Sequence, residues 1–249
     1  MLKMLDFVNK YKNAEVNFLV LPGRVKLYLN NSHLIVSRIF DVPTLLTKEH
    51  EGKKNPVFTI PFQEFYRIIG SMGEENTFAD VFPNILERVF EVKSFKLQQY
   101  EACHEEIKFG IKPPELKHEL FFLKPFAKGD QENVIFFRFK GTDCSLLTFG
   151  SDSDKITSFG LRKLSIPGME VYTETEQDRF LSLDLLYDFL SLLDPKRYAF
   201  FYFGGKRDPV TVCQEWTMNI MPVRPWIETH ELIFNSVLKI KRPNLKIYV

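Results

Sequence analysis

The sequence contains no stretch approaching 18 consecutive apolar residues, so no membrane-spanning helix is expected. Cysteine is scarce. Cys103, Cys144 and Cys213 are odd in number, far apart and outside any CxxC spacing, which excludes a disulfide framework and fits a reducing compartment. Each reads as a small buried hydrophobe. Charge of one sign is also lacking: 33 Lys and Arg stand against 32 Asp and Glu, a net charge of +1. A chain so balanced has no global pull toward a polyanion, and any such contact must come from locally segregated charge. Residues 1–12 are amphipathic but lack the continuous apolar stretch and small-residue cleavage site of a signal peptide. A soluble, intracellular protein is the expectation.

What is present is a globular balance, 45% hydrophobic, with 25 phenylalanines among 249 residues, enough for one large domain or two ordinary ones. Leu2, Leu5, Phe7, Val8 and Tyr11 recur at helical spacing and predict an amphipathic helix over 2–12. Three short alternating strands follow, 16–21, 24–29 and 33–40, separated by Pro22-Gly23 and Asn30-Asn31, the pattern of an antiparallel meander. Residues 43–55 read as a polar loop, and 57–60 as a strand. Pro61 then opens a helix whose apolar face is Phe62, Phe65, Tyr66, Ile69 and Met72. Residues 77–92 fit either helix or strands, and 95–100 and 105–111 read as strands.

Lys112-Pro113-Pro114 is the strongest boundary signal, because consecutive prolines remove amide donors and hold the chain extended. The expected organisation is a first domain over 1–111, a linker over 112–120, a second domain over 121–224 and a basic, proline-broken tail over 225–249. The second half repeats the order of the first. Strands 134–139 and 145–149 flank a Lys140-Gly141-Thr142-Asp143 turn, and strands 156–164 and 169–174 flank Pro167-Gly168. A helix over 184–193 is capped by Asp184 or Ser182, and strands 198–202 and 209–213 are followed by another at 216–221. Each half carries a short strand, a short helix and a meander, a repeat visible in element order alone. The fold class is α+β.

Chemistry-bearing motifs are sparse. Gly204-Gly205-Lys206 is the most nucleotide-like, but a phosphate loop must open onto a helix N-terminus, and these glycines lead into Asp208-Pro209 and a strand. They read as a hairpin turn. Adjacent Cys103 and His104 point to opposite sides of a strand, and His118 is distant, so no nucleophile pair or metal set is expected. Glu105 with Glu106, Asp152 with Asp154, and Asp184 with Asp188 read as solvated acids rather than metal ligands. Lys3, Lys10 and Lys12 lie on the polar side of the first helix and Arg67 on that of the second. They are solubility charges or a phosphate-facing surface that positions DNA without reading bases. The helix at 184–193 has no basic residue.

Several strings in their order, VFTIPFQEFYRIIGSM at 57–72, Lys108-Phe109-Gly110-Ile111-Lys112, Leu123-Lys124-Pro125-Phe126 and residues 180–212, resemble the Rad-nine subunit family of the nine-one-one DNA damage checkpoint clamp. The resemblance runs loosely over residues 1–224. It implies two sliding-clamp-like domains with antiparallel sheets outside and short helices on the inner face, strands pairing edge to edge between subunits. It also implies a non-enzymatic subunit of a heterotrimeric ring, nuclear, loaded around double-stranded DNA at damage sites without sequence specificity. Its partners would be two other clamp-like subunits, a clamp loader and activators of a checkpoint kinase. On this reading Lys3, Lys10, Lys12 and Arg67 contact phosphates, and Lys112, Pro113, Pro114 and Leu116 border a partner-binding pocket. No catalytic residue, metal or cofactor is expected. Two rival classes are a metal-dependent nuclease-like phosphoesterase using the scattered acids, and a strand-rich adaptor unrelated to DNA.

Overall fold

The computed structural model describes residues 1–10, 14–31, 34–48, 57–73, 75–92, 106–127, 133–152, 155–171, 177–205 and 208–220. The chain divides into two compact units, one of residues 1–101 with 215–219, the other of 102–214 with 220–249. The division thus falls ten residues earlier than 111/112. Lys12, Cys103, His104, Glu105, Asp154, the strand expected at 95–100 and the tail over 225–249 lie outside the described residues.

In the first unit, helix α1 (Leu2–Lys10) buries Met4, Leu5, Phe7 and Val8, the face its 3–4 spacing sets. Strands β1 (Glu15–Leu21), β2 (Arg24–Asn30) and β3 (Leu34–Asp41) form the expected antiparallel meander. The first turn is tight because Gly23 takes φ +68°, a conformation costly for other residues. Part of the expected 43–55 loop is a single helical turn, α2 (Thr44–Thr47). Strand β4 (Val57–Ile60) pairs with β1 and with β5 (Phe90–Val92).

Pro61 caps α3 (Phe62–Gly70), which buries Phe65 and Ile69. The ambiguous segment is a helix, α4 (Phe78–Leu86), despite Pro83 inside it. Its start is fixed by the Asp80 carboxylate, which accepts from both Thr77 N and Thr77 Oγ1 at 2.7 Å. Phe18 of β1 meets Phe65 edge-on at 5.5 Å and Phe78 at 6.5 Å, joining sheet and helices in one aromatic core. Residues 215–219 return to this unit. Glu215 ion-pairs with Arg38, whose guanidinium lies 4.8 Å from the Phe40 ring centre and 5.4 Å from that of Trp216. Strand β14 (Thr217–Ile220) runs beside β3.

The second unit opens with β6 (Ile107–Ile111), and the expected linker is a helix, α5 (Pro113–Leu123). This is a correction with a simple cause. The prolines occupy the first helical turn, where an amide hydrogen has no partner to lose, and Leu116, Leu120 and Leu123 bury one side at spacings of four and three. A 3-10 turn over Lys124–Phe126 precedes β7 (Val134–Lys140), β8 (Asp143–Asp152) and β9 (Lys155–Leu164). Short β10 (Glu170–Val171) pairs with β6. Then come β11 (Gln177–Ser182), α6 (Leu183–Leu190), β12 (Ala199–Phe203) and β13 (Val210–Cys213). Ser182 is the N-cap of α6, its Oγ accepting from Leu185 N.

Two sheets result. One has the order β11-β7-β8-β9; the other contains β10-β6-β12-β13. The strand before each helix therefore joins the meander of the other half, β11 beside β7 and β6 beside β12, which interlocks two strand–helix–meander repeats. The same order, β4-β1-β2-β3, builds the first unit. Phenylalanine fills the space between the sheets: Phe137 and Phe139 of β7 lie 5.4 and 5.2 Å from Phe203, and Phe109 stacks on Phe201 at 5.0 Å. Val134, Phe136, Leu147, Phe149, Phe159 and Phe180 cluster on the opposite face of β11-β7-β8-β9. β7 is thus buried on both faces.

Candidate functional site

Each unit presents a pair of helices with a polar outer side. In the first, Tyr66 Oη of α3 donates to Asp6 Oδ1 of α1 at 2.8 Å, which aligns the exposed sides of the two helices. That bond also holds the Tyr66 proton more tightly than usual, the hydrogen bond to Asp6 being the main cause and its charge the second. Lys3 and Lys10 are exposed on α1 on either side of Asp6, and Arg67 is exposed on α3 beside Tyr66. Three of the four residues expected to face phosphate therefore share one helix-pair surface. Glu64, the acid in the first turn of α3, is engaged by Arg88 at 3.4 Å.

In the second unit the pair is α5 and α6. Basic residues are absent from α6, but α5 brings them to it. Lys117 Nζ lies 4.9 Å and Lys124 Nζ 3.9 Å from the centre of the Tyr187 ring, and Lys124 also reaches Asp184 Oδ1 at 3.1 Å. Asp184 further accepts from Asn133 Nδ2 at 2.8 Å, so it is a pairing residue rather than a bare solvated acid. A cleft of about 390 Å3 opens between the helices, with Pro113 and Pro114 at one side. Of the four residues expected to border a partner pocket, these two do line a cleft. Lys112 caps α5, its ammonium 5.7 Å from the Tyr198 ring centre, and Leu116 is fully buried and offers no surface. Lys117, Phe121, Lys124 and Tyr187 were missed because 112–120 read as linker. Helical spacing applied across it would have aligned Lys117, Phe121 and Lys124.

The phosphate-loop alternative is closed off locally. Gly205 N, the amide an anion would need, donates to Asp208 Oδ2 at 2.7 Å. Glu106, expected as a solvated acid, accepts from Arg179 Nη2 at 2.7 Å. Among the described residues no three His, Cys, Asp or Glu side chains converge as metal ligands.

No protein-family model and no curated protein matches this sequence. Solved structures do. A putative DNA polymerase III beta subunit from Eubacterium rectale superposes with TM-score 0.60 at 14% identity, over 89% of this chain and 64% of that one. The beta subunit from Borrelia burgdorferi gives 0.63 at 13% identity, over 89% and 61%, and that from Pseudomonas aeruginosa 0.61 at 10%, over 90% and 64%. The fold is that of the sliding clamps. It carries antiparallel sheets with short helices, as the α+β clamp-like expectation had it. The chain spans between 61% and 64% of the length of these clamp chains.

Proposed function

We propose that this chain is a non-enzymatic subunit of a sliding clamp that encircles double-stranded DNA. The observation that carries the reading is the clamp fold with Lys3, Lys10 and Arg67 gathered on one exposed helix-pair surface. Such a surface gives charge-based, sequence-independent phosphate contact, suited to a protein that moves along DNA. Ring assembly has support in the strand order. The outer side of β3 is taken by β14, whereas β9, which ends its sheet in the same order, has no strand beyond it among the described residues. A ten-residue edge of that kind is a template for a partner's strand.

The finer reading follows the sequence resemblance: a Rad-nine-like subunit of the nine-one-one checkpoint clamp, nuclear, assembled with two other clamp-like subunits and placed on DNA by a clamp loader to recruit checkpoint and repair proteins. A second reading is a clamp of the beta-subunit kind, after the DNA polymerase III beta subunits that its structural neighbours are named as, and for it we take an assembly from copies of one chain. Native purification followed by mass determination of the intact complex separates them. Two further clamp-like chains support the checkpoint reading. Copies of this chain alone support the second, and a monomer that stays monomeric at micromolar concentration contradicts both.

A further inference from the structure

The α5–α6 cleft is more than a gap between helices. Its lining includes the buried side chains of Leu190 and Leu193 and the rings of Phe121 and Tyr187. Phe121 is 60% exposed and its neighbour Phe122 44%, on a helix that already has a buried apolar side. Phe122 is partly covered by His118 and Arg162, whereas Phe121 faces the cleft and leaves its ring open to a ligand there. The ionisable side chains that line the cleft, apart from the Tyr187 phenol, are Lys117 and His118, and no carboxylate is among them. Lys117 and Phe121 of α5 and Lys124, at its C-cap, follow one another at spacings of four and three, a basic–aromatic–basic line whose last member is paired with Asp184 outside the cleft lining. Both lysines are already drawn over Tyr187.

We infer that this cleft binds an unpaired nucleotide of single-stranded DNA, the base against Phe121 and Tyr187 and the adjoining phosphate on Lys117. The inference rests on the clamp reading for the presence of DNA at this helix pair. A duplex keeps its bases stacked and offers only phosphates to such a surface, so the aromatic walls would have no role in it. A single strand offers a flat π face and an anion in each repeat, and stacking on aromatic side chains beside a basic track is the general mode of its recognition. Lys117 supplies the charge complement, and no carboxylate lines the cleft to oppose it.

The test is fluorescence anisotropy on the full chain with three end-labelled probes: a thymidine 12-mer, an abasic strand of the same length, and a 12-base-pair duplex. Wild-type protein binds the thymidine strand more tightly than the abasic one. Phe121→Ala and Tyr187→Leu each weaken thymidine binding by about tenfold, the loss of one stacked base, and leave abasic binding unchanged. Tyr187→Phe retains the ring and the preference. Lys117→Ala weakens both strands. Combined Lys3→Ala, Lys10→Ala and Arg67→Ala weakens the duplex and leaves the thymidine-over-abasic preference in place. Phe121 is largely exposed, so its alanine variant should keep the wild-type melting temperature and any loss reads on binding. Equal wild-type affinity for thymidine and abasic strands overturns the inference, as does displacement of the thymidine strand by an acidic aromatic peptide that depends equally on Phe121. Failure of the chain's complex to stay on circular DNA, with the Phe121-dependent preference intact, would remove the clamp reading and leave the cleft.

Discussion

Replacing Arg179 by methionine should destabilise the second unit by about 2–3 kcal/mol. Arg179 lies on β11 and is 4% exposed. Its Nε donates to the Gly204 carbonyl at 2.8 Å, Nη1 to the Asp178 carbonyl at 3.1 Å and Nη2 to Glu106 Oε2 at 2.7 Å. One side chain thus fastens the residue before β6, the strand β11 and the turn after β12. Burial makes the guanidinium easier to deprotonate, while the charges of Glu106, Asp208 and Asp178 oppose that. Breaking a fully buried ion pair costs roughly 3–5 kcal/mol, but the Glu106 side chain is 37% exposed and rehydrates, which trims the pair's share to about 1 kcal/mol. The Gly204 carbonyl stranded without its donor adds about 1–2 kcal/mol. Urea unfolding measures the loss, and amide exchange should locate it in β11 and β12. Glu106→Gln, which keeps an acceptor oxygen, should cost about 1 kcal/mol. A loss below about 0.5 kcal/mol for Arg179→Met, or equal losses for the two variants, would show that Arg179 does not tie these elements together.

Alanine at Lys3, Lys10 and Arg67 together should lower duplex affinity for every sequence alike and reduce the slope of log K against log salt by about 2.7, near 0.9 per lost phosphate contact. An unchanged slope would mean that these residues do not face DNA. Gly160→Ala should cost about 1–3 kcal/mol and raise amide exchange in α5, because a Cβ there would lie 2.8 Å from a Leu123 methyl and 2.9 Å from the Phe126 ring. Wild-type melting behaviour would show that these side chains yield freely. Cys144 is buried, and desolvation raises its thiol pKa far above the ordinary range. Iodoacetamide at pH 8 should leave it unmodified in the native protein and label it in urea, with mass spectrometry as the readout; rapid native labelling would contradict its burial.

The elements that could be read from sequence are those whose cause is local. Pro22-Gly23, the Gly141 turn at φ +57° and the 3–4 apolar spacing of α1 and α3 each act over a few residues, and the structure has them where expected. The misreadings come from signals that cancel or act at a distance. Pro113-Pro114 suggested extended chain, and the exposed Phe121 and Phe122 blurred the apolar stripe that would have revealed α5. Pro83 leaves α4 readable as either helix or strands. The units divide at 101/102, ahead of β6, because β6 pairs with β12, Ile111 opposite Ala199, a partner far along the chain that no local pattern announces. At the site, the charges of α1 and α3 were legible because each helix was recognised on its own. The Lys117–Tyr187–Lys124 grouping needed the packing of two helices from different repeats.

Whether the protein holds DNA by encirclement can be measured on one substrate in two topologies. The native complex is loaded onto a nicked circular plasmid, freed of unbound protein at high salt, and the plasmid is then cut once. An encircling clamp should stay on the circle at salt concentrations that abolish simple electrostatic binding, and leave on linearisation. Loss from the intact circle at high salt, or equal retention on cut and uncut DNA, would contradict it.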